Sequence, residues 1–417
     1  MEYTSLLTLI AIILGFMMAW AVGANDVANA MGTSVGARVL TIKQAVVLAG
    51  VFEVLGALLA SDNVTNTLSR GLVYFGHLNN PDVFITYGMI SALAASATWL
   101  ILATFMSWPV STTHSIVGAM LGYGCFVAGV SNVNWKILIN VFLSWIVTPS
   151  ISAVFSALIF ISVKQLILNH ESPDVRAKKI VPIYLFLISL VIVFISLSIG
   201  WPSDGDHVVS LIESTIGISL VITFIGYRII RKIKTKKLVE HTDYVNAYNH
   251  VERMFGVLAI FTASAMAFAH GGNDVANAIG PLARVIVTLH PFYRDQFPYW
   301  ITCLGAFGVV TGLSMYGYKI IKTIGNKITA LTPIRGFSAQ FSTAFVVVSS
   351  SALGLPISTT HTLVGAVIGV GFVGGLGALD FRVIRGIFLS WFITLPAGAI
   401  LSIIYFELLT SLLHQSF

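Results

Sequence analysis

Residues 23–30 read GANDVANA and residues 271–278 read GGNDVANA, identical at seven of eight positions. Each octet lies inside an apolar run long enough to cross a bilayer, about 20 residues. Asp26 and Asp274 are therefore carboxylates inside membrane helices, where a charge costs about 2.5–3.5 kcal/mol on insertion scales. Such residues face a cavity, an ion or a partner. Asn25 and Asn29 flank Asp26, and Asn273 and Asn277 flank Asp274, so each Asn pair at i and i+4 shares a helix face. Gly23, Gly271 and Gly272 are expected to let the helices open and bare carbonyl groups. Amide, carboxylate and carbonyl oxygens are hard ligands suited to a small cation such as Na⁺.

Two further blocks repeat in the same order. WPVSTTHSIVGAMLGYG at 108–124 matches LPISTTHTLVGAVIGVG at 355–371 in ten of 17 positions, and FLSW recurs at 142–145 and 388–391 with a Thr and a Pro following. Pro109 and Pro356 break the incoming helices, and the hydroxyls that follow cap the outgoing ones. Ser111, Thr112, Thr113 and Ser358, Thr359, Thr360 thus place two helix N-termini deep in the membrane, where free N–H groups favour an anion. Two such sites could close around one tetrahedral oxyanion. An anion beside Asp26 and Asp274 would be repelled by several kcal/mol at an effective dielectric near 20. With no Lys or Arg inside either motif, a cation, H⁺ or Na⁺, is expected to enter with the anion. His114 and His361 are expected to hold the hairpin tips by side-chain hydrogen bonds. Glu53 is a further buried carboxylate, with a coupling or a structural role, and its counterpart is placed near Thr302. Arg38 and Arg284 are read as snorkelling to the interface.

Only 10% of the 417 residues are charged and 56% are hydrophobic, against about 25% charged in soluble domains. Lipid is the expected solvent for much of this surface. The net charge of +6 does not indicate nucleic-acid binding, because the basic residues lie between apolar spans. The N-terminal apolar run lacks a basic leader and is read as the first membrane helix. The repeats divide the chain into residues 1–163, an inserted two-helix unit with a basic linker at 164–251, and residues 252–417. Each half makes three net crossings and the insert two, so the halves are inverted. With both termini outside, 19 of the 23 Lys and Arg residues fall on the cytoplasmic side, including the linker from Arg228 to Arg253. The expected fold is an all-α integral membrane protein of two inverted-topology repeats with broken helices, an arrangement typical of secondary transporters.

The paired Asn-Asp and P-x-STTH blocks resemble the inorganic phosphate transporter (PiT) family over nearly the whole chain. The resemblance implies two re-entrant helical hairpins and phosphate held by Ser111, Thr112, Thr113, Ser358, Thr359 and Thr360. It implies cations near Asn25, Asp26, Asn29, Asn273, Asp274 and Asn277, and a homodimer in the cell membrane. Sodium-coupled members often carry Glu where this chain has Gln340, which tilts the expected coupling ion slightly toward protons. Other branches move metal–phosphate complexes or sulfate. Inverted halves disfavour an anion channel, and no nucleotide loop, HExxH or nucleophile–base pattern indicates an enzyme.

The charge distribution predicts that a cysteine introduced at His414 reacts with an impermeant reagent on intact cells. Labelling only after permeabilisation overturns the orientation.

Overall fold

The computed structural model describes residues 2–69, 72–106, 108–200, 208–233, 242–293, 297–318, 320–321, 332–375 and 381–413. Arg70, Lys234, Lys236, Lys237, Arg294, Lys319, Lys322, Lys327, the connection at 201–207 and His414 lie outside them. Thirteen α-helices are traced among the described residues. They are α1 (Glu2–Gly36), α2 (Ile42–Ala60), α3 (Asp62–Ser69), α4 (Pro81–Phe105), α5 (Thr112–Ala128), α6 (Trp135–Val163) and α7 (Pro173–Gly200). Then follow α8 (Val208–Arg231), α9 (Thr242–Leu289), α10 (Tyr299–Gly312), α11 (Pro333–Ala352), α12 (Thr359–Gly374) and α13 (Phe381–Leu412). Nine helices among the described residues are long and apolar enough to cross a membrane. The chain is an all-helical, multi-pass membrane protein. Because α9 begins at Thr242, Arg253 stands well inside a helix rather than closing a polar linker.

The ends follow local chemistry. Thr41 and Gln44 form a reciprocal capping box at α2, and Pro81 and Pro333 open α4 and α11 where a missing N–H costs nothing. Ser111 and Ser358 cap α5 and α12, their hydroxyl oxygens accepting the His114 and His361 N–H groups at 3.2 Å.

Neither Asn-Asp helix is broken: α1 and α9 run unbroken through Gly23, Gly271 and Gly272. The expectation that these glycines open the helix fails because close packing uses them. A Cβ on Gly23 would lie 2.0 Å from the Val309 carbonyl oxygen, and one on Gly271 would lie 2.1 Å from that of Glu53. The contacts are reciprocated by Gly312 against Trp20 and Gly56 against Phe268. This equivalence pairs Glu53 with Val309, not with Thr302, since the connection before α10 is longer than the one before α2.

α1 and α9 lie side by side and antiparallel, Gly15 against Leu282 at one end and Val39 against Gly256 at the other. Two apolar cores flank their middles, one around Phe255 and Phe337, the other around Tyr87 and Tyr123. The halves also interlock. α12 packs on α6 with Gly365 against the Pro149 carbonyl, and α5 packs on α13 with Gly118 against that of Leu395.

Gly23→Ala forces a methyl into the Val309 carbonyl, at a cost of about 1–3 kcal/mol or more. Thermal denaturation in detergent should show a marked loss of stability, whereas Gly217→Ala, with nothing within 4 Å, should match the parent.

Candidate functional site

Between the two cores the polar residues of both octets meet. Asn25, Asp26, Asn29, Asn273, Asp274 and Asn277 are each at most 1% exposed. The first Asn of each octet ties its helix to its own hairpin. Asn25 Nδ2 donates to Thr104 Oγ1 at 3.0 Å and to the Trp108 carbonyl at 3.2 Å; Asn273 Nδ2 donates to Ser351 Oγ at 3.0 Å and to the Leu355 carbonyl at 3.2 Å. The second Asn crosses to the other half. Asn29 Nδ2 donates to Thr360 Oγ1 at 2.8 Å, and Asn277 Nδ2 to Thr113 Oγ1 at 3.1 Å and Thr112 Oγ1 at 3.2 Å. Each also reaches its own aspartate at 3.3 Å. Thr359 donates to Asp274 Oδ2 at 2.7 Å. The Asn-Asp residues and the four threonines thus form one cluster built across the halves. Ser111 and Ser358 shape it from behind, as caps.

The residue that sequence reasoning missed is His270, which is fully buried. Its Nδ1 lies 3.0 Å from Glu53 Oε1 and its Nε2 lies 3.1 Å from Asp274 Oδ2. Asp26, His270 and Asp274 each offer a ligand atom, all within 4.8 Å of one another. The signal was present: His270 precedes Asp274 by four residues, one helical turn, on the same face. Glu53 therefore joins the cluster through His270. The trio is one-sided, because the positions equivalent to Glu53 and His270 in the other half are Val309 and Val22.

One expectation is corrected. His114 and His361 do not bond the hairpin tips through their side chains. Their rings lie against Trp145 and Trp391, with centroids 3.7 and 3.4 Å apart, and meet each other at 4.3 Å. A flat ring among apolar helices gains more from stacking than from a tip already capped by serine. Gln340 is buried, and it bonds to the Asn-Asp helix: its Oε1 accepts from Ser34 Oγ at 3.1 Å and its Nε2 donates to the carbonyl of Ala30, four residues along α1 from Asp26.

Several buried oxygens of the cluster have no donor among the described residues: Asn25 Oδ1, Asn273 Oδ1, Asn277 Oδ1 and Asp26 Oδ2. All are acceptors. Buried acceptors are rarely left without a partner, and a cation satisfies several at once.

Comparison with known proteins finds relatives that span nearly the whole chain. A sequence profile described as the phosphate transporter family matches residues 22–402. A predicted phosphate permease of Haemophilus influenzae is 42% identical over 418 residues, covering 99% of both chains. The chloroplastic inorganic phosphate transporter 2-1 of Arabidopsis thaliana is 40% identical over 98% of this chain and 73% of its own. A solved structure titled the sodium-dependent phosphate transporter superposes with a TM-score of 0.87 at 36% identity, over 97% of this chain and 99% of its own.

Glu53→Gln and His270→Gln should each destabilise the fold, because each leaves a buried partner uncompensated, by about 3–5 kcal/mol for a charged pair. The double variant should lose less than the sum, with a coupling of at least about 1 kcal/mol. Thermal denaturation of the four proteins of the cycle measures it, and strict additivity refutes the pairing.

Proposed function

From the premise that the chain belongs to the phosphate transporter family, we propose that it is a secondary active transporter importing inorganic phosphate by cation symport. The observation that carries the reading is the exchange of partners between halves, Asn29 with Thr360 and Asn277 with Thr113. It brings two helix N-termini to one buried point. There the threonine hydroxyls and first-turn N–H groups can surround a tetrahedral oxyanion from two sides. The antiparallel pairing of α1 with α9 supports inverted repeats, and with the charge bias it supports both termini outside and the basic linker in the cytoplasm.

The coupling ion follows from charge. A phosphate about 5 Å from an aspartate is repelled by about 3 kcal/mol at an effective dielectric near 20, and two aspartates flank the site. Na⁺ is the first reading, because the unpartnered amide oxygens of Asn25, Asn273 and Asn277 are metal-ion ligands for which a proton has no use. A relative of similar fold is named as sodium-dependent. Proton coupling is the second reading, favoured by the Glu53–His270–Asp274 contacts, which offer a carrier for H⁺.

The test is radioactive phosphate uptake into proteoliposomes with one gradient imposed at a time. An inward Na⁺ gradient at uniform pH should drive accumulation, and Asp26→Asn or Asp274→Asn should abolish it without loss of folded protein. Accumulation by a proton gradient alone selects the second reading. Near-normal uptake by both variants removes the cation role of the aspartates, and sulfate uptake exceeding phosphate uptake changes the substrate.

A further inference from the structure

The inserted helices α7 and α8 leave an apolar groove of about 770 Å³ against α2 and α9. It runs from Leu48 and Val257 to Leu59 and Phe268, about 16 Å of helix on either wall. That is about the depth of one leaflet's hydrocarbon. Ser196 and Ser264 are the only polar residues among its described lining. A groove this apolar and open in a membrane-spanning helix bundle takes a hydrocarbon chain rather than water.

Val257 and Ile260 also line a second cavity, of about 710 Å³, so the two spaces adjoin. The second is polar and presents Arg38 and Arg253 together with Asn249 and Glu252. One oxygen of Glu252 is engaged, its Oε2 accepting the Ile334 N–H at 3.0 Å, while its Oε1 has no partner among the described residues, and the two arginines outweigh this one carboxylate. Arg38 stands in the left-handed region at φ 58°, in the turn that ends α1. Glycine is the usual occupant of such a turn. Arg38 lines the polar cavity from this turn. Lys43, Arg228, Arg231 and Lys232 stand at the same end of the surrounding helices. An apolar slot one leaflet deep, ending in a basic cavity, matches an anionic amphiphile.

We propose that groove and cavity form one site for an anionic phospholipid, its acyl chain between α2, α7, α8 and α9 and its phosphodiester on Arg38 and Arg253. The site lies behind Glu53 and His270, since Phe52 lines the groove and Phe268 closes its far end. The proposal does not rest on the transport reading, and its test measures lipid retention without transport.

Purified full-length protein, delipidated in detergent, is offered equal phosphatidylglycerol and phosphatidylcholine, and retained lipid is counted by native mass spectrometry. Phosphatidylglycerol should be retained at least fivefold over phosphatidylcholine. R38Q/R253Q should bring the ratio to about one, and R38K/R253K should keep the preference, which separates lost charge from lost fold. Ile222→Trp, which fills the groove, should reduce retention of both lipids. Parity in the parent, an unchanged ratio in R38Q/R253Q or unchanged retention in Ile222→Trp overturns the site. Displacement of the lipid by millimolar inorganic phosphate also overturns it, by making the basic cavity a site for the free anion.

Discussion

Two aspartates with carboxylate oxygens within 4.8 Å of a shared imidazole nitrogen, each at most 1% exposed, set the terms for the rest of this molecule. Unpaired, such charges would not stay ionised or even stay buried. Several neighbours supply donors, though Asp26 Oδ2 has none among the described residues. Asn29 and Asn277 donate to the aspartates from one turn along, Thr359 donates to Asp274, and His270 stands between Asp274 and Glu53. Thr359 donates within its own half, whereas Thr360, Thr112 and Thr113 meet the second Asn of the other half because each hairpin reaches the opposite Asn-Asp helix. The helices come near enough only because glycine faces a carbonyl where α1 crosses α10 and α9 crosses α2. Charge burial, helix crossing and the interlock of the halves are thus one requirement seen at three scales.

The frame is symmetric and the charge is not. Hydrogen bonds from Asn25 and Asn273, caps at Ser111 and Ser358 and stacked imidazoles at His114 and His361 all repeat with nearly one offset. Yet the Glu53–His270 contact corresponds to Val309 and Val22, two apolar side chains. Two near-equal halves can present one site to either side at similar energy. In the proposed symport, an asymmetric carboxylate–imidazole pair would give the two presentations different affinities for a cation, and only differential affinity can shift such an equilibrium.

Duplicated motifs made the helices, the repeat and the polar cluster readable, because charge in an apolar span and proline before a hydroxyl run have few physical explanations. What escaped was anything set by which helix lies opposite. Gly23 and Gly271 read locally as weak points, but against a neighbouring carbonyl they are the only residues that fit. Counting along the chain matches Glu53 with Thr302, but the longer connection before α10 shifts the register to Val309. Gln340 lies in a hairpin helix that carries no mark of its partner, and it bonds to the α1 backbone rather than to the aspartates. His270 was legible and passed over: its spacing to Asp274 is that of one helical turn.

The third repeated block, FLSW, gains its reason from the same interlock. His114 stacks on Trp145 of its own half while its helix α5 packs on α13 of the other; His361 stacks on Trp391 while α12 packs on α6. Each hairpin is therefore held by the last helices of both halves, and the two imidazoles touch between them. Pulling the sequence halves apart would break both stacks' surroundings and both glycine seams at once, at Gly118 and at Gly365. Packed interiors do not stretch by such amounts; they switch between discrete arrangements along weaker seams. An opening that spares these contacts must leave α5, α6, α12 and α13 together as one unit. On the proposed transport reading, the boundary that moves would lie where the unit meets α1 and α9, along the Asn29–Thr360 and Asn277–Thr113 bonds. Those bonds join polar groups that an anion and water can satisfy in turn, so parting them costs far less than parting the helices behind them.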